Sequence, residues 1–142
     1  MLAVPRLPWL VGVRDGEVAG YAHASRHRAR PAYRWSVEVS VYLASTEAGR
    51  GTGRALYDRL LREVRDLGYV SAFAGITLPN DRSVRLHEAA GFVPVGVFRS
   101  VGFKHGRWHD VGWWQRPLTG LPATPREPVP WVEPGEVALG GA

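Results

Sequence analysis

Five consecutive residues have the make-up of an anion site. Gly49-Arg50-Gly51-Thr52-Gly53 follows an alternating apolar segment and precedes a helical one. The first turn of a helix leaves N–H groups unpaired and carries the positive end of the helix dipole, which favours an anion. Glycines let the backbone approach a pyrophosphate closely. A flexible connection that holds nothing is the competing reading, and spacing alone does not choose between them. No Lys-Ser/Thr pair follows Gly53, so the loop is not a P-loop. No early βαβ unit surrounds it, so the dinucleotide fingerprint fails too.

The remaining candidates are proton-handling and charged groups. Glu38 sits in Ser36–Ala44, where Val37, Val39, Val41 and Leu43 alternate with Ser36, Glu38, Ser40 and Tyr42. That period of two marks a strand. By alternation alone, Glu38 is either a solvent-facing carboxylate or a rigidly held base. His87, on a short helical stretch, is either a hydrogen-bonded core or surface histidine or an acid–base group. Lys104 and His105 lie in a glycine-flanked loop, and Arg28, Arg30 and Tyr33 in the loop before the Glu38 strand. Both groups suit contact with an anionic ligand or simple solvation. His109 and Asp110 are adjacent on a strand and point to opposite faces, so no metal site is expected. The absence of cysteine excludes a disulfide scaffold, a Cys-ligated zinc and a cysteine nucleophile.

These residues need elements to hold them. Trp9–Val13 and Val18–Ala24 are apolar runs separated by a turn containing Asp15-Gly16, a strong hairpin signal. Leu56, Leu60, Val64 and Leu67 recur at helical spacing, widened by Tyr57 and Leu61, up to a terminating Gly68. A strand is expected over Tyr69–Leu78, a short helix over Ser83–Ala90, and strands over Phe92–Phe98 and Trp108–Gln115. Residues 99–107 read as a loop between the last two. The six prolines from Pro117 onward predict an extended tail. The order gives an α/β domain with a mixed sheet.

Composition narrows the partners. With 142 residues, 45% of them apolar, one domain with a real core is expected. The net charge is +5, carried by arginine apart from Lys104. Arginine suits phosphate, but the charge is scattered, so a nucleic-acid-binding module is weakly supported. A codon bias toward arginine explains the same charge. No segment approaches the roughly 18 apolar residues of a membrane span, and residues 1–8 lack a signal-peptide core. A cytoplasmic protein with no membrane or nucleic-acid partner is expected.

The downstream motifs are more specific. Leu78-Pro79-Asn80-Asp81, Ser83–Ala89, Gly102-Phe103-Lys104-His105-Gly106 and Trp108-His109-Asp110-Val111-Gly112 follow the strand, glycine loop and helix. Together they resemble the GNAT superfamily of N-acetyltransferases, and within it the phosphinothricin N-acetyltransferases, from about Trp9 to Leu118. The resemblance implies a mostly antiparallel mixed sheet flanked by helices over residues 1–118, with 119–142 as the tail. It implies acetyl-CoA as donor, with Val41, Tyr42 and Leu43 along the pantetheine arm. Gly49, Arg50, Gly51, Thr52, Gly53 and Arg54 would hold the pyrophosphate, and Asn80 the cofactor arm. Glu38 becomes the base, directly or through a water, and His87 an acid for the leaving thiolate. The acceptor is a small amino-acid-like primary amine near Arg28, Arg30, Tyr33, Lys104 and His105, and the oligomer a homodimer. Two departures are visible. Ala48 stands where the family commonly has Gln or Arg, which weakens one pyrophosphate contact. The family also places a strand and a helix pair ahead of the hairpin, whereas Trp9 already opens it, so a sheet shortened at that end is expected. An acyl-CoA-binding protein with weak or no turnover is the alternative this departure raises.

Overall fold

The computed structural model describes residues 5–132 and 134–140. Asp15 and Gly16 both have positive φ (52° and 79°), the geometry of a two-residue turn that matches strand twist. They join β1 (Trp9–Arg14) to β2 (Glu17–Arg26). A 3-10 turn at Pro31–Tyr33 leads to β3 (Ser36–Leu43). The glycine loop then enters α1 (Thr52–Leu67), followed by β4 (Ser71–Leu78), α2 (Asp81–Ala89), β5 (Val93–Lys104), β6 (Arg107–Pro117) and β7 (Glu136–Ala138).

The seven strands of the described residues form one sheet in the order β5-β6-β4-β3-β2-β1-β7. The β3–β4 and β1–β7 pairs are parallel, and the other four are antiparallel. The expected mixed, mostly antiparallel α/β sheet is therefore present. Helix α1 carries the expected stripe: Leu56, Tyr57, Leu60, Leu61 and Val64 are all buried. At about 1.5–3 kcal/mol per fully buried large apolar side chain, packing outweighs any propensity term in holding α1 on the sheet. Gly68 at φ 113° ends it, with Gly68 N–H on the Arg65 carbonyl and Tyr69 N–H on that of Val64. This is a Schellman closure, sealed by buried Tyr69. Both helices lie on one face, since Tyr57 of α1 hydrogen-bonds His87 of α2. Leu10, Ala22, Val37, Val39, Ala72, Ala74, Ile76 and Trp114 point into that core.

Two segments differ from the sequence reading. The expected 99–107 loop is mostly strand: β5 continues to Lys104, and His105 and Gly106 make a second positive-φ turn (52° and 75°). A register break between Phe98 and Gly102, with Ser100 at φ 50°, interrupts the ladder. That irregularity hides the alternation that would have marked a strand. The proline-rich segment is extended but packs closely. Trp131 is 5% exposed within the main core, and its indole N–H donates to Glu63 Oε1 at 2.9 Å. Arg34 clasps Glu127 with two nitrogens, Nε at 2.9 Å and Nη2 at 2.7 Å. Strand β7 then occupies the sheet edge beside β1.

The tail should therefore contribute to global stability. Trp131→Ala should cost about 3–5 kcal/mol, the range for buried large aromatics, read from the urea midpoint. A midpoint unchanged from wild type would show that the tail is not part of the cooperative unit.

Candidate active site

Parallel pairing between β3 and β4 lasts only three rows: Ser36–Ser71, Val37–Ala72 and Glu38–Phe73. Beyond them β3 runs on to Leu43 paired only with β2, and β4 to Leu78 paired only with β6. The sheet forks at Glu38. From Val39 onward, the β3 edge that faces the fork offers backbone groups with no strand partner. Such an edge accepts an added extended chain. Val41, Tyr42 and Leu43 lie along it; Tyr42 and Leu43 are exposed and Val41 is partly buried against the core.

The fork leads to the glycine loop. Gly49 and Gly51 have φ of 74° and 77°, the left-handed region that glycine enters without cost. A Cβ added at either position would meet nothing within 4 Å, so both look onto open space. No side chain caps α1 at Gly51, which leaves its first-turn N–H groups for an anion. Gly53 has another role: a Cβ there would come within 3.0 Å of Leu86, so it allows α1 and α2 to approach. Arg54 is tied to Asp58 at 3.1 Å and to the Ala89 carbonyl at 2.6 Å.

A buried carboxylate that sequence reading did not single out fixes this loop. Glu47 is 4% exposed and accepts hydrogen bonds from Arg14 Nε (3.2 Å), Arg50 Nη1 (3.4 Å) and the Thr52 hydroxyl. These contacts, led by Thr52, hold its pKa below the usual carboxylate value and keep it ionised. Arg50 and Thr52 thus serve the loop's shape as well as its surface. The only sequence signal was Glu at the head of the glycine run.

Glu38 occupies the vertex of the fork and is partly buried. His27 Nδ1 lies 3.0 Å and Arg28 Nη1 3.3 Å from its Oε2. The His27 ring stacks on Phe73, with centroids 4.4 Å apart, and stands edge-on to Trp113. The Trp113 indole N–H is buried and unpaired among the described residues. His27 was not among the residues expected from sequence. It lies in an irregular basic loop, where no periodicity marks it. Arg28 and Arg30, with Arg26 and Arg34, line a cavity of about 510 Å³, and Tyr33 is half exposed nearby in sequence.

Four of the residues expected from sequence lie away from the fork or are engaged by their own elements. His87 is 4% exposed; its Nδ1 lies 2.7 Å from the Ser83 carbonyl and its Nε2 2.7 Å from the Tyr57 hydroxyl. A carbonyl only accepts, so Nδ1 carries the proton, and burial lowers the ring's pKa, favouring the neutral form. Both nitrogens are engaged inside the core, and the ring ties α2 to α1 through Tyr57. Lys104 and His105 sit at the β5–β6 turn, and Lys104 pairs with Arg107. Arg107 is eight residues along β6 from Gln115, which faces Phe73, roughly 26 Å at a strand's rise. Within one chain they do not meet Arg28 and Glu38. Asn80 caps α2, its Oδ1 accepting from Ser83 N–H at 3.1 Å.

Residues 6–113 match the model of the acetyltransferase (GNAT) domain. The chain belongs to the GNAT acetyltransferase family. It is 50% identical over 121 residues to a phosphinothricin N-acetyltransferase of Streptomyces viridochromogenes, covering 85% of this chain and 66% of that protein. It is 40% identical to an L-methionine sulfoximine/L-methionine sulfone acetyltransferase of Salmonella typhimurium, covering 78% and 65%. A solved phosphinothricin acetyltransferase from Sinorhizobium meliloti, in complex with AcCoA, superposes with a TM-score of 0.78 at 42% identity, covering 87% and 68%. This GNAT domain spans about two thirds of the length of these relatives.

The Glu47 cluster carries a pH signature. Its lowered folded-state pKa means that its contribution is complete above the ordinary value of 4.5 and is lost as pH falls through the depressed one. Wild type should therefore lose stability on acidification below that value more steeply than Glu47→Gln, followed by urea midpoints across the acid range. Parallel slopes for the two proteins would remove Glu47 from the account.

Proposed function

We propose that this chain transfers an acetyl group from acetyl-CoA to the primary amine of a small, amino-acid-like acceptor of the phosphinothricin or methionine sulfoximine type. The observation that carries this reading is the fork at Glu38, with an unpaired β3 edge on one side and an open glycine loop at its end. The left-handed glycines and the uncapped first turn of α1 suit a pyrophosphate, and the β3 edge at Val41–Leu43 suits an amide-bearing pantetheine arm. Acetyl-CoA, when bound, supplies an activated thioester carbonyl.

The chain's own task is to make the acceptor nucleophilic. An amine with a pKa near lysine's is only about one part in a thousand neutral at pH 7, so assisted deprotonation is worth up to about 4 kcal/mol. Glu38 supplies the basicity at the vertex. Arg28, which contacts Glu38, lines a cavity together with Arg30 and Glu127, and these arginines suit the carboxylate and side-group anion of such an acceptor. Tyr33 is assigned to the same acceptor side. His87 holds α2 against α1 through Tyr57 and is not assigned to proton delivery.

The partner is a second copy of this chain. Strand β5 is a sheet edge, and Val93, Val95, Val97, Phe98, Val101 and Phe103 are exposed on it. An exposed apolar edge invites pairing. Light scattering should give twice the 15.6 kDa chain mass; a monomer at micromolar concentration would reject this assignment.

Glu38→Gln keeps the shape and removes the basicity. Acetyl-CoA should raise its melting temperature as it does for wild type, while turnover of phosphinothricin falls by roughly two to four orders of magnitude. The deficit should narrow as pH rises, because more acceptor is then neutral unaided. Wild-type turnover that favours peptide N-termini over phosphinothricin would reject the acceptor class.

A further inference from the structure

Arg14, the last residue of β1, joins the C-terminal segment to the glycine loop. Its side chain is 11% exposed, and all three guanidinium nitrogens are engaged. Nε donates to Glu47 Oε1 at 3.2 Å and Nη2 to the Thr52 hydroxyl at 3.3 Å. Nη1 donates to the carbonyl of Gly140, just past β7. The first two partners frame the loop, because Glu47 precedes it and Thr52 opens α1. The third belongs to the segment that lies along β1, and its seat there is built. Val11 N–H donates to the Gly135 carbonyl at 2.6 Å and Leu139 N–H to the Val13 carbonyl at 2.8 Å, closing the parallel rows at both ends. A Cβ on Gly135 would collide with the Trp9 carbonyl, so glycine is what lets the segment reach β1. A Cβ on Gly12 would come within 3.2 Å of both Leu139 and Leu56 of α1, so Leu139 packs where that glycine leaves room. Val137 packs on the main core.

We propose that β7 and Arg14 position the acetyl-CoA loop: the C-terminal segment, docked on β1, orients Arg14 so that Glu47 and Thr52 keep Gly49–Gly53 open to the pyrophosphate. This rests on the acetyl-transfer reading and adds the residues that set its affinity for the donor. A guanidinium is a rigid planar fork, so three acceptors held at once fix its orientation. Without the Gly140 carbonyl, Nη1 lacks its acceptor in a largely buried place, which is costly, and the fork turns from the plane that serves Glu47 and Thr52 together. Glu47 is buried and ionised and cannot be parted from Arg14 cheaply, so the loop follows the guanidinium. Arg14 is a positioning residue, since each of its nitrogens is already spent on a protein oxygen.

The test uses the 142-residue chain with phosphinothricin and two donors, acetyl-CoA and S-acetylpantetheine, which has the same thioester arm and no pyrophosphate. Gly135→Val and Leu139→Pro displace β7 without altering the fork or the loop. Each should raise the KM for acetyl-CoA by about tenfold or more, with kcat at saturation and kcat/KM for acetylpantetheine unchanged. Arg14→Met should do the same. Arg14→Met/Leu139→Pro should be no worse than the worse single variant, because both act through one chain of contacts. Arg14→Lys retains a cation for Glu47 but cannot hold all three acceptors, so its KM should fall between wild type and Arg14→Met. This milder variant keeps the test decisive if the others fold poorly. Equal losses with both donors would reveal general damage to the fold and overturn the proposal. So would a wild-type KM for acetyl-CoA in Leu139→Pro and Arg14→Lys, and either result leaves acetyl transfer standing. A wild type silent with both donors and every amine offered would overturn the acetyl-transfer reading, and this one with it.

Discussion

Strand twist and ladder length compete at the junction of β3 and β4, and the outcome organises the rest of the molecule. β3 belongs to a continuous antiparallel ladder with β2 over seven rows, from Gly20–Leu43 to Arg26–Val37. β4 belongs to another with β6 over eight rows, from Ser71–Pro117 to Leu78–Asp110. Each ladder carries its own right-handed twist, and only three parallel rows bind the two halves together. Past Glu38 the halves diverge. The gap cannot stay unpaired and buried, because backbone polar groups need partners. It is consequently an open edge on which an extended ligand can lie.

Two glutamates illustrate how environment separates roles. Glu47 is buried among Arg14, Arg50 and Thr52, with both oxygens engaged. Its charge is spent on shaping the loop that enters α1. Glu38 is more exposed and engages one oxygen, with His27 and Arg28. Its other oxygen has no hydrogen-bond partner among the described residues. The contrast follows from saturation of hydrogen-bonding capacity and not from residue type.

The face of the sheet away from the helices has its own order. Trp9, His23, Tyr21 and Tyr42 form a stacked row across β1, β2 and β3, with neighbouring centroids 4.4 Å to 5.3 Å apart. Such cross-strand aromatic contacts stiffen the half of the sheet that ends at the fork. On the other side of this half, Trp131 locks the C-terminal segment into the core, and the Arg34–Glu127 clasp ties that segment to the loop bearing Arg28 and Tyr33. Loop, sheet edge and tail are thereby one mechanical unit.

The sequence by itself determined the elements with strong local periodicity or turn chemistry. The Asp15-Gly16 hairpin, the alternating Ser36–Leu43 strand, the α1 stripe ending at Gly68 and the left-handed glycines of the loop are all local consequences of sterics and burial. Glu38 was legible as a strand carboxylate, and the family motifs gave it a role. Only the tertiary structure decided what each candidate touches. His87 proved to be core because Tyr57, thirty residues away, takes its second nitrogen. His27 joined the site because an irregular loop folds it onto Phe73 and Glu38. Lys104 and His105 left it because a bulged strand carries them to a distant turn. Trp131 became core across a proline-rich stretch that reads as tail. Each of these depends on contacts between residues far apart in the chain, and local pattern holds no record of such contacts.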